Sequence, residues 1–181
     1  MSNKTLIIGS KMPYFSLPGT DGRLHTSDDY HGFRLLLVVF SCNHCPYVHA
    51  YEQRLIRLQD AYLNAGLKVI AINSNDAVQY PEDSFSEMQK RSQAIGFNYP
   101  YLVDETQDTA REFSAEYTPH IFLFDEQRNL IYTGKIDDNW QSPSLVKNRY
   151  LESAIQEYLE GKPVSVPETF AIGCTIKWKR S

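Results

Sequence analysis

The sequence predicts an α/β fold, a central mixed β-sheet flanked by helices, on three observations. Residues 35–40 (LLLVVF) are an unbroken aliphatic and aromatic run, the composition of a strand buried on both faces beneath helical layers. Between 46 and 65 the apolar residues Val48, Tyr51, Leu55, Leu58 and Tyr62 recur every three or four positions, one stripe of an amphipathic helix. Residues 67–72 then resume a buried strand, so strand, crossover helix and parallel strand form a βαβ unit. Further on, strand-like runs at 121–124 and 130–133 flank the polar turn 125–129 as an antiparallel hairpin, which gives the sheet both strand senses.

The other elements follow from punctuation. Pro13, Pro18-Gly19, Asp21-Gly22 and Gly32 break residues 1–32 into a hairpin-like extension. Gly66 stops the first helix. A second helix is expected over 84–95, with Phe85, Met88 and Ile95 on one face and Gly96 after it. A short strand at 101–103, a helix over 106–116 and a last helix over 145–160 complete the expectation. Beyond that, Pro163 and Pro167 keep the tail extended over the surface. At 181 residues the chain suits one domain: extension 1–32, core 33–160, tail 161–181.

Composition narrows the function. With 42% hydrophobic and 22% charged residues the chain is ordinary globular material. A net charge of -4 argues against nucleic acid as a partner, because phosphate binding rests on a basic excess. The closing Lys177, Lys179 and Arg180 read as a solvated tail. The six-residue aliphatic run is far below the ~20 residues that cross a bilayer, so no membrane segment is expected. Residues 1–5 lead into three apolar residues before Gly9, too few for a secretory signal, and a cytoplasmic location is expected. Three cysteines do not make a disulfide scaffold. Two of them lie three apart, which points to redox or metal chemistry.

Those two are Cys42 and Cys45, in Cys42-Asn43-His44-Cys45 directly after the first central strand. Residues three apart in a first helical turn sit about 5 to 6 Å from one another, a separation that a disulfide closes with little strain. Placed where strand gives way to helix, Cys42 is expected to face unpaired amides and the positive end of the helix dipole. That lowers a thiol from about 8.5 to roughly 3.5 to 7.5 and makes Cys42 the attacking sulfur. Cys45, one turn in, is the expected resolving thiol. Pro46 fits a first helical turn, whose amide has no intrahelical partner.

The order strand, Cys-x-x-Cys, helix, strand, helix, Thr118-Pro119, hairpin and final helix resembles the thioredoxin superfamily over about residues 10–160. The segment Met12-Pro13-Tyr14-Phe15-Ser16-Leu17, Asp21-Gly22 and the insert 77–98 resemble its redoxin and peroxiredoxin-like branch, the alkyl hydroperoxide reductase/thiol-specific antioxidant type. The resemblance implies a thioredoxin-like fold. It also implies a cis peptide between Thr118 and Pro119, packed beside the disulfide and offering backbone to a substrate strand. The chain departs from the peroxidatic Pro-x-x-x-Thr/Ser-x-x-Cys pattern: Val39 stands three before Cys42, and Cys42 three before Cys45. It also has Ser41 and Leu36 where thioredoxin carries Trp and a buried Asp, so another group or water must move protons.

His44 resembles the histidine of more oxidising relatives and is expected to tune the Cys42 thiolate; its plainer role is an exposed residue at a helix start. His49 and His120 could join Cys42 and Cys45 in a Cys/His metal set, or be surface and packing residues. Asp137, Asp138, Asn139 and Trp140 form a polar loop, structural or at a substrate rim. Cys174 is either a structural thiol or a second resolving thiol. The expected function is a thiol-disulfide oxidoreductase acting on protein disulfides, with no organic cofactor and with a thioredoxin- or glutathione-type electron donor. The alternatives are a thiol peroxidase resolved by Cys45 or Cys174, and a metal-binding module.

Overall fold

A computed structural model describes residues 6–181; the opening stretch 1–5, considered above for a leader, lies outside them. In chain order the elements are β1 (Ser16–Pro18), β2 (Leu24–Thr26), β3 (Leu35–Ser41), α1 (Pro46–Tyr62), β4 (Leu67–Asn73), α2 (Phe85–Ile95) and β5 (Tyr101–Val103). There follow α3 (Asp108–Phe113), β6 (Tyr117–Thr118), β7 (His120–Phe124), β8 (Leu130–Gly134), α4 (Tyr150–Leu159) and β9 (Cys174–Thr175). The central sheet has the order β5-β4-β3-β7-β8. Strands β3, β4 and β5 run parallel, and β7 and β8 run antiparallel, as the mixed-sheet expectation requires. No helix among the described residues is long and apolar enough to cross a membrane.

Every residue of β3 is buried, and its side chains alternate between two cores. Leu35, Leu37 and Val39 pack with Tyr51 and Leu55 of α1 and with Leu151, Ala154 and Ile155 of α4. Leu36, Val38 and Phe40 pack on the other face with Phe15 and Leu17 of the N-terminal hairpin and with Phe113 of α3. Phe113 also meets Phe40, Phe122 and Phe124 edge-on at ring separations of 5.3 to 5.9 Å, so one short helix clamps β3 and β7 together.

Two helices are shorter than expected. α3 covers Asp108–Phe113 rather than 106–116 because Gln107 and Ser114 take left-handed backbone at its ends, φ 68° and 56°. The buried Asp104 carboxylate accepts the amides of Thr109 and Ala110 and the Ser74 hydroxyl, and so pins the start of α3. α4 begins at Tyr150 rather than 145: the Asp138 carboxylate accepts the amides of Lys147 and Asn148 and holds that stretch in a loop. The tail is the larger difference. It does not merely lie over the surface: β9 pairs antiparallel with β6, and Ile176 is buried in the second core.

Truncating Phe113 to Ala should cost about 3–5 kcal/mol of unfolding free energy, since three aromatic rings lose their edge-to-face partner and a cavity opens under β3. Urea titration checks this. The midpoint should fall with an unchanged slope.

Candidate active site at the end of strand β3

β3 ends at Ser41, and Cys42 follows it immediately, carried there by a strand that cannot shift without exposing a core face. The helix starts later than the sequence suggests. α1 opens with Pro46 at its first position, and Cys45 is the cap residue, with extended backbone at φ -85° and ψ 123°. Cys45 is therefore not one turn inside the helix. Cys42 lies in the loop before it. Neither thiol faces outward, since Cys42 is 2% and Cys45 0% exposed.

The loop between them is held from outside. The Asp83 carboxylate accepts the Asn43 amide, Asn43 Nδ2 donates to the Glu82 carbonyl, and the buried Tyr101 hydroxyl donates to Asn43 Oδ1 at 2.7 Å. Asp83 also accepts Asn75 Nδ2 at 2.9 Å. None of Asn43, Asn75, Asp83 and Tyr101 was legible as a site residue, because these contacts join positions up to 58 apart and no local pattern marks them. An acidic residue just before the helix-capping Ser84 reads as ordinary helix-start chemistry.

The Thr118-Pro119 bond is cis, as the resemblance implies, and sets Thr118 against both sulfurs. Thr118 Oγ1 is 3.4 Å from Cys42 Sγ, and the Thr118 carbonyl oxygen is 3.2 Å from Cys45 Sγ. A third sulfur joins them: Cys174 Sγ lies 2.9 Å from Cys45 Sγ and packs on the cluster of Cys42, Cys45 and Val48. All three cysteines are free thiols.

The thiol expected to ionise is not the one the environment favours. Cys45 is held down to about 4 by a hydrogen bond from Cys42; against burial, further bonds come from the Cys174 thiol and from the backbone at Val48 and Cys174. Cys42 is pushed up by that same bond to Cys45 and by burial, with the Asp83 charge adding to both. Cys174 is pushed up to about 11 by burial and by its bond to Cys45. Of the two, the helix-capping sulfur is the one whose surroundings favour a thiolate, and the unpaired amides of a helix start lie on that side.

His44 does not turn to the sulfur. Its Nδ1 is 2.5 Å from Asp83 Oδ2, in ion-pair range, and its ring stacks on Tyr80 at 5.5 Å. His49 and His120 do not join the cysteines. His49 Nε2 donates to the Asn43 carbonyl, whereas His120 accepts the Glu116 amide, packs at a tilt on Phe122 and is lowered by burial to about 4. The donor atoms of Cys42, His44 and Asp83 come within 4.8 Å of one another, the one grouping among the described residues that could hold a metal ion. Asp83 is already engaged there by Asn43, Asn75 and His44.

The 137–140 loop is chiefly structural. Asp137 accepts Tyr51 Oη and Arg54 Nη1, and Arg54 donates further to the carbonyls of Asn139 and Trp140. Trp140 packs on Tyr47 at 4.4 Å and lines, with Ile172 and Pro119, a small cleft beside the site.

No curated protein sequence matches the chain. Among solved structures, an uncharacterized conserved protein from Geobacillus kaustophilus is 37% identical and superposes with a TM-score of 0.92, covering 98% of this chain and 95% of its own. A hypothetical protein from Sinorhizobium meliloti 1021 is 35% identical with a TM-score of 0.92, covering 98% of each chain. The thioredoxin domain of a thiol-disulfide oxidoreductase from Bacteroides vulgatus, 16% identical with a TM-score of 0.60, covers 71% of this chain and 89% of its own and shares the fold. The model of the AhpC/TSA family matches residues 8–133, from before the N-terminal hairpin through the Cys42 loop and the cis bond to β8. The chain belongs to the AhpC/TSA family, a redoxin and peroxiredoxin-like member of the thioredoxin superfamily.

Proposed function

We propose that the redox chemistry of this family runs here as thiol-disulfide exchange through a Cys42/Cys45 dithiol-disulfide couple. The observation that carries this reading is that one residue, Thr118, contacts both sulfurs, the hydroxyl at Cys42 and the carbonyl at Cys45. As Cys42 attacks a substrate disulfide, its proton passes to the Cys45 thiolate, which serves as the base that the missing thioredoxin carboxylate would have been. The Thr118 carbonyl receives the new Cys45 S–H. The departing substrate thiolate takes that proton, and Cys45, a thiolate again, attacks Cys42 Sγ. This closes Cys42–Cys45 and releases the second substrate thiolate. A thioredoxin- or glutathione-type donor would restore the dithiol.

A second reading, thiol peroxidase, is favoured by the burial of both sulfurs, which a hydroperoxide passes more readily than a protein does. Stopped-flow rates of the reduced protein against a protein disulfide and against hydrogen peroxide separate the two. Exchange should be the faster reaction, and a peroxide rate well above it would reverse the order.

Single-thiol variants assign the roles. Cys42→Ser should abolish disulfide reduction, and Cys45→Ser should accumulate a mixed disulfide with substrate through Cys42, read by mass spectrometry. Trapping through Cys45 in the first variant would exchange the two roles.

His44 acts on the couple through Asp83. The imidazole sits in ion-pair range of a carboxylate beside the dithiol, and a thiolate, favoured on Cys45, exists only in the reduced form, so removing the imidazole leaves uncompensated negative charge next to the reduced pair and disfavours reduction. His44→Pro should lower the potential by tens of millivolts; about 30 mV is ~1.4 kcal/mol for a two-electron couple. Equilibration against a dithiol buffer measures it, and an unchanged potential would leave His44 no tuning role.

A further inference from the structure

The backbone beside a cis proline, which the superfamily resemblance assigns to a substrate strand, is here already paired. Tyr117 faces Thr175 and Thr118 faces Cys174 across an antiparallel ladder, and the Ile176 amide extends it to the Glu116 carbonyl at 2.9 Å. The occupant is the chain's own tail. It approaches so closely that a Cβ on Gly173 would stand 2.2 Å from the Thr118 carbonyl oxygen, a position only glycine can fill.

The tail is tied down on both sides of that strand. Upstream, Thr169 donates its amide to the Thr133 carbonyl, and its hydroxyl accepts the Lys135 amide. Downstream, the Lys177 carbonyl accepts the Asp76 amide and Gln107 Nε2, and Trp178 lies under the Arg111 guanidinium. Between these anchors, residues 170–172 bow outward, with Phe170 91% exposed, and the chain returns to set Cys174 Sγ 2.9 Å from Cys45 Sγ. A formed S–S bond is ~2.05 Å.

We propose that the tail strand is a tethered substrate for this site, and that Cys174 exchanges into the Cys42–Cys45 disulfide to give Cys45–Cys174 and a free Cys42 thiol. The inference rests on the Cys42/Cys45 couple proposed above. In the step, the Cys174 thiolate attacks Cys45 Sγ and the Cys45–Cys174 bond forms as the Cys42–Cys45 bond breaks. The electron pair leaves on Cys42, which takes up the proton that Cys174 gave up. One disulfide is lost and one gained, so no external oxidant or reductant is consumed.

The geometry selects Cys45 as the partner, since Cys174 contacts that sulfur and Cys42 is held by the Thr118 hydroxyl instead. Oxidation also eases ionisation of the nucleophile: burial still raises Cys174, but once Cys45 is in a disulfide its hydrogen bond and its charge no longer do, and Lys177 still lowers it. The product returns Cys42 to the reduced state while the oxidising equivalents are held between Cys45 and the tail.

Disulfide mapping tests this on the full chain. The reduced protein is oxidised with trans-4,5-dihydroxy-1,2-dithiane, quenched in acid, alkylated, and its tryptic peptides sequenced. The expected product is a cross-link between the peptides carrying Cys45 and Cys174, with Cys42 alkylated. Gly173→Val, which pushes the strand off Thr118 without touching a thiol, should lower that cross-link at least tenfold and leave Cys42–Cys45 in its place. Cys174→Ser should hold only Cys42–Cys45. A wild-type protein that shows Cys42–Cys45 with Cys174 alkylated, or a Cys42–Cys174 cross-link, overturns the tethered-substrate proposal and leaves the couple standing. Failure of Cys174→Ser to form any Cys42–Cys45 bond overturns the couple itself.

Discussion

β3 is enclosed on both faces, and a strand in that position has no freedom to slide or tilt. A one-residue slip would move Leu35, Leu37 and Val39 out of the core shared with α1 and α4 and into the one shared with α3, where the volumes differ. Its end is therefore a fixed point, and Cys42 is the next residue. The ladder with β7 extends the constraint: Phe40 faces His120, which places the cis Thr118-Pro119 bond just beyond the last strand pair and Thr118 against the sulfurs. The hairpin, α3 and the aromatic cluster around Phe113 serve the site by keeping this one strand dry.

The loop bearing the cysteines has no such core of its own, and polar contacts hold it instead. Asn43 is gripped by the buried Asp83 and Tyr101, where each hydrogen bond counts for more than it would in water, and by the carbonyl of the exposed Glu82. The same network sets the electrostatics. Asp83 raises the thiol it supports, and His44 pairs with that carboxylate rather than with sulfur. Support of the Cys42 loop and the electrostatics at its sulfur thus pass through one group, Asp83.

The tail changes what kind of site this is. In place of an open groove beside the cis proline there is a paired strand, anchored at Thr169 and at Lys177, with a third sulfur against the second. Ordering about a dozen residues of tail costs conformational entropy, and it is offset by the burial of Ile176 and by the backbone bonds to Thr133, Asp76 and Glu116. Those anchors lie on elements far apart in sequence, and each is in place only when the sheet is.

The sheet was legible in the sequence because burial and periodicity are local properties. Residues 35–40 and 67–72 are apolar whatever surrounds them, and the stripe through Val48, Tyr51 and Leu55 repeats at helical spacing, so a βαβ unit ending in a Cys-x-x-Cys loop follows from neighbours alone. The site's composition was legible for the same reason: Cys42, Cys45, Thr118 and Pro119 sit in patterns that carry chemistry, and the structure gathers all four. Charge and partnership were not. Which thiol holds the proton depends on Thr118, Cys174 and Asp83, which lie 41 to 129 positions away from the sulfurs they touch or face. That arrangement exists only once β6, β9 and the helix start have met. The bounds of α3 and α4 escaped for a like reason, since Asp104 and Asp138 compete for amides that a helical pattern would assign to the helix. The sequence by itself determined the sheet, the crossover and the placing of the Cys42/Cys45 pair at the end of the central strand. The tertiary structure alone decided that the surroundings favour the thiolate at Cys45 over Cys42 and that the tail pairs beside the cis proline, because both are set by long-range hydrogen bonds that no local pattern encodes.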